Sequence, residues 1–318
     1  MTTAISIPSG LQAGAPTPPD GGPPPRALTR VLAAVPPPGL VLLAIVSIQV
    51  GAALAVHLFA SLGPEGTVFL RVAISALLLF AAWRPALDRQ VRDHLGLLLL
   101  YGAVMAATNL CFYQALARIP LGIAVTIEFM GPLALAVVTS RRLPDFLWIA
   151  LAVLGIAMLA PRIGDGLDPV GVGYAVASGI GWGSFILLSK RVGQIFERGN
   201  GLALGMAVGA LVLMPFGLPA STVVLTEPLL LLAVVGVAIL STTIPFSLEF
   251  EALKRMPPRS YGVLVTLEPA VAVMVGAMLL GDALNIRALF AVACVTTAAI
   301  GITMFETRDS GKSDKKDD

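Results

Sequence analysis

The chain repeats one kind of segment: a run of roughly 20 apolar residues, a short polar or proline-containing break, then another apolar run. A helix rises 1.5 Å per residue, so about 20 residues cross a hydrocarbon core of about 30 Å, where every backbone polar group must be paired internally. Such segments have few folded options besides membrane-crossing helices. Breaking the chain at its polar clusters and prolines gives ten of them, at 39–60, 66–83, 95–116, 121–140, 145–161, 170–189, 201–218, 228–250, 260–280 and 286–305. Their loops are too short for a soluble domain. A content of 57% hydrophobic and 13% charged residues agrees, being outside the soluble range.

The flanks differ from the spans. Residues 1–38 are rich in proline and poor in large apolar side chains, so they are expected to form a disordered tail. Residues 306–318 read as a solvated, mixed-charge tail. Arg26 and Arg30 precede an apolar run of full spanning length, unlike the short core of a secretory leader. With the N-terminus in the cytoplasm, 17 of the 21 Lys and Arg residues fall on the cytoplasmic side; Arg71, Arg118, Arg162 and Arg287 do not. That bias places both termini inside. A net charge of +2 offers nothing to nucleic acid. Cys111 and Cys294 lie within spans, and His57 and His94 near span ends have no metal-ligand spacing, so neither a cofactor nor a metal is expected.

Ala115-Leu116-Ala117-Arg118-Ile119-Pro120 returns 137 residues later as Ala252-Leu253-Lys254-Arg255-Met256-Pro257. At the same offset Pro132 meets Pro269 and Asp145 meets Asp282. The first copy joins spans three and four outside, the second spans eight and nine inside. A duplicated unit of five spans inserts the second time upside down, an arrangement of secondary transporters with midplane sites and alternating access. The expected fold is therefore an all-α membrane protein of ten transmembrane helices in two inverted five-helix repeats, 39–161 and 170–305.

Polar residues inside spans mark the candidate site, since a carboxylate at membrane depth costs roughly 2.5 kcal/mol or more. Glu128 in span four, Gln49 in span one, Trp182 in span six and Glu268 in span nine all lie near the middle of the bilayer. Two carboxylates at one depth suit proton handling or binding of an ammonium group; the bland alternative is a glutamate bonded to a neighbouring helix. Asn109 and Tyr113, four apart, share a face of span three and reach either the cavity or another helix. Arg71 reaches either a substrate carboxylate or the outer interface. Glu249 closes span eight beside Glu251, Lys254 and Arg255, as a site residue or as part of an exposed ion-pair cluster. Glycines and serines in span six, including Ser178, Gly179 and Gly181, allow close helix approach. Ser241-Thr242-Thr243-Ile244-Pro245 is a candidate hinge.

Pro120-Leu121-Gly122-Ile123-Ala124-Val125, Glu128-Phe129-Met130-Gly131-Pro132, Ser140-Arg141-Arg142, Ser241-Thr242 through Pro245-Phe246-Ser247-Leu248-Glu249, and Glu268-Pro269-Ala270 resemble the threonine and homoserine exporters of the EamA family, within the drug/metabolite transporter superfamily. The resemblance covers about 39–305. It implies efflux of small neutral amino acids across the bacterial inner membrane, driven by the proton gradient. Its substrate would be a small molecule, with protons and the lipid bilayer as the other partners. The long proline-rich tail departs from the compact family pattern. Export of drugs or aromatic metabolites is the alternative within the superfamily, and four tyrosines with three tryptophans lean against it. An embedded enzyme would need deep aspartates, yet Asp145, Asp165, Asp168 and Asp282 fall in loops. A receptor is disfavoured by the inverted repeat.

Overall fold

Proline marks where most helices begin, because its fixed φ suits the first helical turn and its missing N–H is not needed there. In a computed structural model, the described residues are 35–300 apart from 86, 133, 135–146, 148–149, 152–153, 156–166, 197–199, 257–260, 262–263, 284–285, 288 and 299. Residues 1–34 of the expected first tail, the expected tail at 306–318, most of the 145–161 span, and the C-terminal ends of spans four and ten therefore lie outside the described residues, whereas Pro37 and Pro38 of the expected first tail already belong to a helix. Among those described, the ordered structure is helical, with no strand.

Helix α1, Pro37–Trp83, holds the first two spans. It is interrupted at Gly63, whose φ of 63° and ψ of 169° no helix contains, and Pro64 restarts it. Only glycine adopts that φ without a steric penalty, so the sharp turn between two spans falls there. Thr67 Oγ1 donates to Gly63 O at 2.7 Å and ties the new first turn to the break. Helix α2, Arg89–Asp93, is capped by Asp88, which accepts from Val91 N. Helix α3, Leu95–Leu116, ends before the Ala117–Ile119 turn, and α4, Leu121–Glu128, follows Pro120. No local side chain caps α4; Asp282 Oδ2, far along the chain, accepts from Leu121 N at 3.0 Å.

Helix α5, Pro169–Ile195, is capped by Asp168, and α6 spans Asn200–Ser221. Helix α7, Pro228–Ala238, passes through a π-helical turn, Ile239–Thr243, into α8, Ile244–Arg255. The widened turn coincides with the expected hinge before Pro245. It removes the strain that proline imposes on a continuous α-helix. Helix α9, Glu268–Val275, starts after a turn at Thr266–Leu267 and continues as a second π-helical stretch, Gly276–Leu280, closed by left-handed Gly281.

Four described helical stretches are long and apolar enough to cross a membrane: Pro37–Ala81, Leu95–Leu116, Pro169–Ile195 and Asn200–Leu225. Shorter apolar helices occupy Leu121–Pro132, Pro228–Thr243, Glu268–Leu280 and Leu289–Ala298. Packing is inside-out relative to a soluble protein. Leu229 and Ile286 are 82% and 77% exposed, as suits a lipid-facing surface, whereas Gln49, Thr126 and Ser178 are buried. Helix α1 packs along α6, α3 along α5 and α6, and α4 against α9. These contacts leave a polar hollow between α1, α3, α4, α5 and α9.

Candidate functional site

Glycine brings the walls of the hollow together. A Cβ at Gly131, just past Glu128, would land on the backbone carbonyl of Gly179 in α5. With no side chain at either position the two helices touch backbone to backbone. That approach sets Ser178 against the Glu128 carboxylate, to which its hydroxyl donates. Ser178 Oγ also lies 3.0 Å from Thr108 O, linking α3 to the same point.

Glu128 is the last residue of α4 and Glu268 the first of α9, so each carboxylate sits at a helix break in a span of the expected repeats. Gln49 Nε2 donates to Glu268 Oε1 at 3.0 Å. Arg71 donates to Asn109 Oδ1, and its guanidinium stands 5.2 Å from the centre of the Tyr113 ring. Asn109 Nδ2 is held by Met105 O at 2.8 Å, which fixes the amide with its oxygen toward Arg71. Trp182 meets Phe129 edge to face, with ring centres 5.5 Å apart. In the hinge, Thr242 and Ser75 share a hydrogen bond of 2.9 Å between buried hydroxyls.

These groups surround one cavity of about 250 Å³. Seven of the eight sequence-derived site residues line it: Gln49, Arg71, Asn109, Tyr113, Glu128, Trp182 and Glu268. Arg71 turns inward, and the interface-snorkelling alternative does not describe its position. Glu249 does not line the cavity. It sits half-buried on α8, hydrogen-bonded to Tyr261 and close enough for its charge to act on Glu268. The exposed-cluster alternative therefore does not describe Glu249 either.

Thr108, beside Asn109, lines the cavity with no sequence signal to single it out. Ser178, one turn before Trp182, is not among the lining residues and supports the wall through its bond to Glu128. Phe112 and Phe185 join Tyr113 and Trp182 as four aromatic walls, so the aromatics are concentrated at the cavity despite their low overall number. Ser241 and Thr242 line it from within the π-helical turn. Among the glycines of span six, Gly181 abuts Thr108, whereas Gly173 has nothing near it.

Among the described residues, four buried side-chain atoms lack a hydrogen-bond partner: Gln49 Oε1, Arg71 Nε, Ser241 Oγ and Thr296 Oγ1. Leaving such an atom unpaired costs about 1–3 kcal/mol, so each needs an explanation. Three of the four belong to cavity residues. No group of three or more potential metal ligands occurs among the described residues.

Comparison with known proteins agrees with this architecture. The chain is 38% identical over 274 residues to the threonine/homoserine exporter RhtA of Escherichia coli (strain K12), covering 85% of this chain and 92% of that protein. It is 37% identical over 273 residues to the protein of the same name from Salmonella typhimurium (strain SL1344), with the same coverage. A solved structure, described only as the crystal structure of a protein, superposes with a TM-score of 0.55 at 19% identity, covering 85% of this chain and 98% of that one. At that identity it shows the fold alone. The family model for EamA-like transporters matches residues 169–304. A polar cavity between broken helices, a matched family model and relatives aligned over nearly their whole length lead to one conclusion: this chain belongs to the EamA-like transporter family, and is a membrane transporter and not an enzyme.

Proposed function

We propose that this protein exports small neutral amino acids of the threonine and homoserine type, by alternating access and proton antiport. The observation that carries the reading is the set of charged and polar side chains that line one cavity. The Arg71 guanidinium suits an amino-acid carboxylate, the Glu128 and Glu268 carboxylates an ammonium group, and Ser241 and Thr242 a side-chain hydroxyl. The relatives are threonine/homoserine exporters, and those amino acids carry a carboxylate, an ammonium group and a hydroxyl. Glu128 and Glu268 face the same cavity and serve as the proton-handling pair, one or both binding a proton when substrate leaves. Asn109, Tyr113 and Trp182 shape the cavity, and Glu249 acts on Glu268 through its charge.

The chain is organised as ten spans in two inverted repeats, 39–161 and 170–305, with tails at 1–36 and 306–318. It resides in the bacterial inner membrane with both termini in the cytoplasm. The inverted arrangement places the two helix breaks of spans four and nine opposite one another, where rocking of one repeat on the other exposes the cavity to each side in turn.

The four aromatic walls favour a second reading, export of larger or aromatic metabolites. Against it, about 250 Å³ lies below the roughly 300–1,000 Å³ of sites for drug-sized ligands. Counterflow in reconstituted vesicles, with a panel of labelled amino acids and with the pH gradient intact or collapsed, decides between them. Exchange of threonine and homoserine, with accumulation that needs the gradient, is the expected result. Glu128→Gln should abolish gradient-driven efflux while expression stays intact. Wild-type efflux by that variant would sink the proton assignment.

A further inference from the structure

The duplicated Ala-Leu-x-Arg-x-Pro element makes one contact twice. In its first copy Arg118 Nε stands 3.7 Å from Oδ2 of Asp168, the residue that caps α5, and the guanidinium lies 5.1 Å from the centre of the Tyr174 ring on that helix. In its second copy Arg255 donates to Val35 O at 2.9 Å, just before α1 begins at Pro37. The arginines are 137 positions apart and their partners 133. Each arginine therefore holds the start of the first span of the other repeat.

The packing beside the two arginines recurs as well. Ala115 and Ala252, three residues earlier in each copy, are both 0% exposed. Ala115, Leu116 and Ile119 pack with Leu167, Val172 and Tyr174 around the start of α5. Ala252 and Met256 pack with Val35, Leu40 and Val41 around the start of α1. At the first of these seams Gly171 lets α5 approach, since a Cβ there would come within 2.8 Å of Arg118 Cβ and Ile119 Cγ2. A seam built twice from the same element belongs to the duplication and not to one loop.

In the ten-span arrangement proposed above, the Arg118 seam lies at the outer face and the Arg255 seam at the inner face. Rocking one repeat on the other opens the cavity to a face by parting the helices there, and that movement pulls the arginine of that face from its partner. The path to the cavity is short: α4 begins three residues after Arg118 and ends at Glu128.

We propose that Arg118 and Arg255 are reciprocal clasps between the repeats, one at each face, whose relative strength sets which side the cavity faces. This rests on the inverted-repeat reading above, and on neither the substrate nor the proton assignment. Both clasps are made in this structure. Weakening one eases opening at its own face only, so the two arginines act in opposite directions. Two arginines that only stabilised the fold would act alike.

The test reads access to the cavity from each side. Thr108, half-buried in the cavity wall, is changed to cysteine (Thr108→Cys) in full-length protein that also carries Cys111→Ala and Cys294→Ala, which removes both native thiols. Ala52→Cys, on another wall, is the second reporter. A membrane-impermeant thiol reagent is added to intact cells, which present only the outer face, or to inside-out membrane vesicles. Arg118→Gln should speed labelling in cells about fivefold and slow it in vesicles, and Arg255→Gln should do the reverse. Asp168→Asn keeps a cap for α5 and removes the charge, so it should shift labelling as Arg118→Gln does, by less. The double variant Arg118→Gln/Arg255→Gln should return toward the starting ratio, which a misfolded protein would not do.

Shifts in the same direction for both arginines, or an unchanged ratio for either, overturn the clasps. Exchanged directions support the clasps and overturn the orientation with both termini inside. Absence of threonine exchange in counterflow, with the opposite shifts intact, overturns the substrate assignment and leaves the clasps standing.

Discussion

Ser178 on α5 donates its hydroxyl to Glu128 at the end of α4, and the same oxygen lies 3.0 Å from Thr108 O on α3. A serine hydroxyl has one proton and two acceptors within reach, so its direction follows the charge of Glu128. When the carboxylate is ionised the proton points to it; when Glu128 carries its own proton, the serine hydroxyl is free to turn to Thr108. Hydrogen bonds to a charged group contribute about 1.5–3 kcal/mol. Ser178→Ala is therefore expected to lower gradient-driven efflux about tenfold or more, measured at matched protein levels in vesicles.

The contact of Gly131 with Gly179 is backbone on backbone. Gly131→Ala forces a methyl group onto a carbonyl that cannot move without displacing α5. It is expected to cost about 1–3 kcal/mol and to disturb the Glu128–Ser178 pair. Gly173→Ala on the same helix is the control, since nothing lies within 4 Å of its Cβ position. That change should stabilise by about 0.5–1 kcal/mol through helix propensity. Thermal unfolding of the purified protein in detergent, followed by fluorescence, separates the two.

Arg71 is held by Asn109 and by the face of Tyr113, with its Nε left unpaired. Lysine keeps the charge but not the planar fork, and it loses both the stacked geometry and the second donor. Arg71→Lys should raise the half-saturating substrate concentration in counterflow at least about tenfold, the loss of one charge-assisted hydrogen bond. An unchanged value would show that the guanidinium does not touch substrate.

Asp282 joins the far end of the chain to the start of α4 by accepting from Leu121 N at 3.0 Å. Asp282→Ala should cost about 1 kcal/mol, as loss of a helix cap does, while Asp282→Asn keeps an acceptor and should cost less. The Arg118–Asp168 pair is a useful contrast. At 3.7 Å, with side chains 32% and 38% exposed, the ion pair should be worth about 0–1 kcal/mol. Arg118 also donates to Gln114 O at 2.8 Å and stands 5.1 Å from the centre of the Tyr174 ring, so Arg118→Gln is expected to cost more than the pair alone. Chemical denaturation of the detergent-solubilised protein ranks the variants.

Gln49, Glu128, Trp182 and Glu268 could be placed at one depth from the sequence because a helix advances by a constant rise and a membrane supplies a fixed ruler. The irregular turn before Pro245 is legible for a similar reason: proline in mid-span must be accommodated, and the π-helical turn is how α7 and α8 do it. Ser178 was not legible as a partner of Glu128. Small residues on a membrane helix serve packing in most cases, and only the Gly131–Gly179 approach distinguishes this serine from Ser184, whose hydroxyl bonds back to Ile180 O. Glu249 shows the converse. Its sequence neighbourhood does not reveal that Tyr261 is its partner or that it stays out of the cavity lining.

What the sequence by itself determined is the class of protein, the depth of its buried polar groups and the places where its helices must break. These follow from local physics: hydrophobic length, proline geometry and the cost of a charge in lipid. Only the tertiary structure decided which polar groups meet. Gln49 and Glu268 are 219 residues apart, and Ser178 and Glu128 are 50 apart. Rotation of each helix about its own axis sets such pairings, and helices that are apolar nearly all round carry little periodic signal to fix that rotation. Close contacts such as Gly131 on Gly179 fix it instead, and they exist only once the helices are packed.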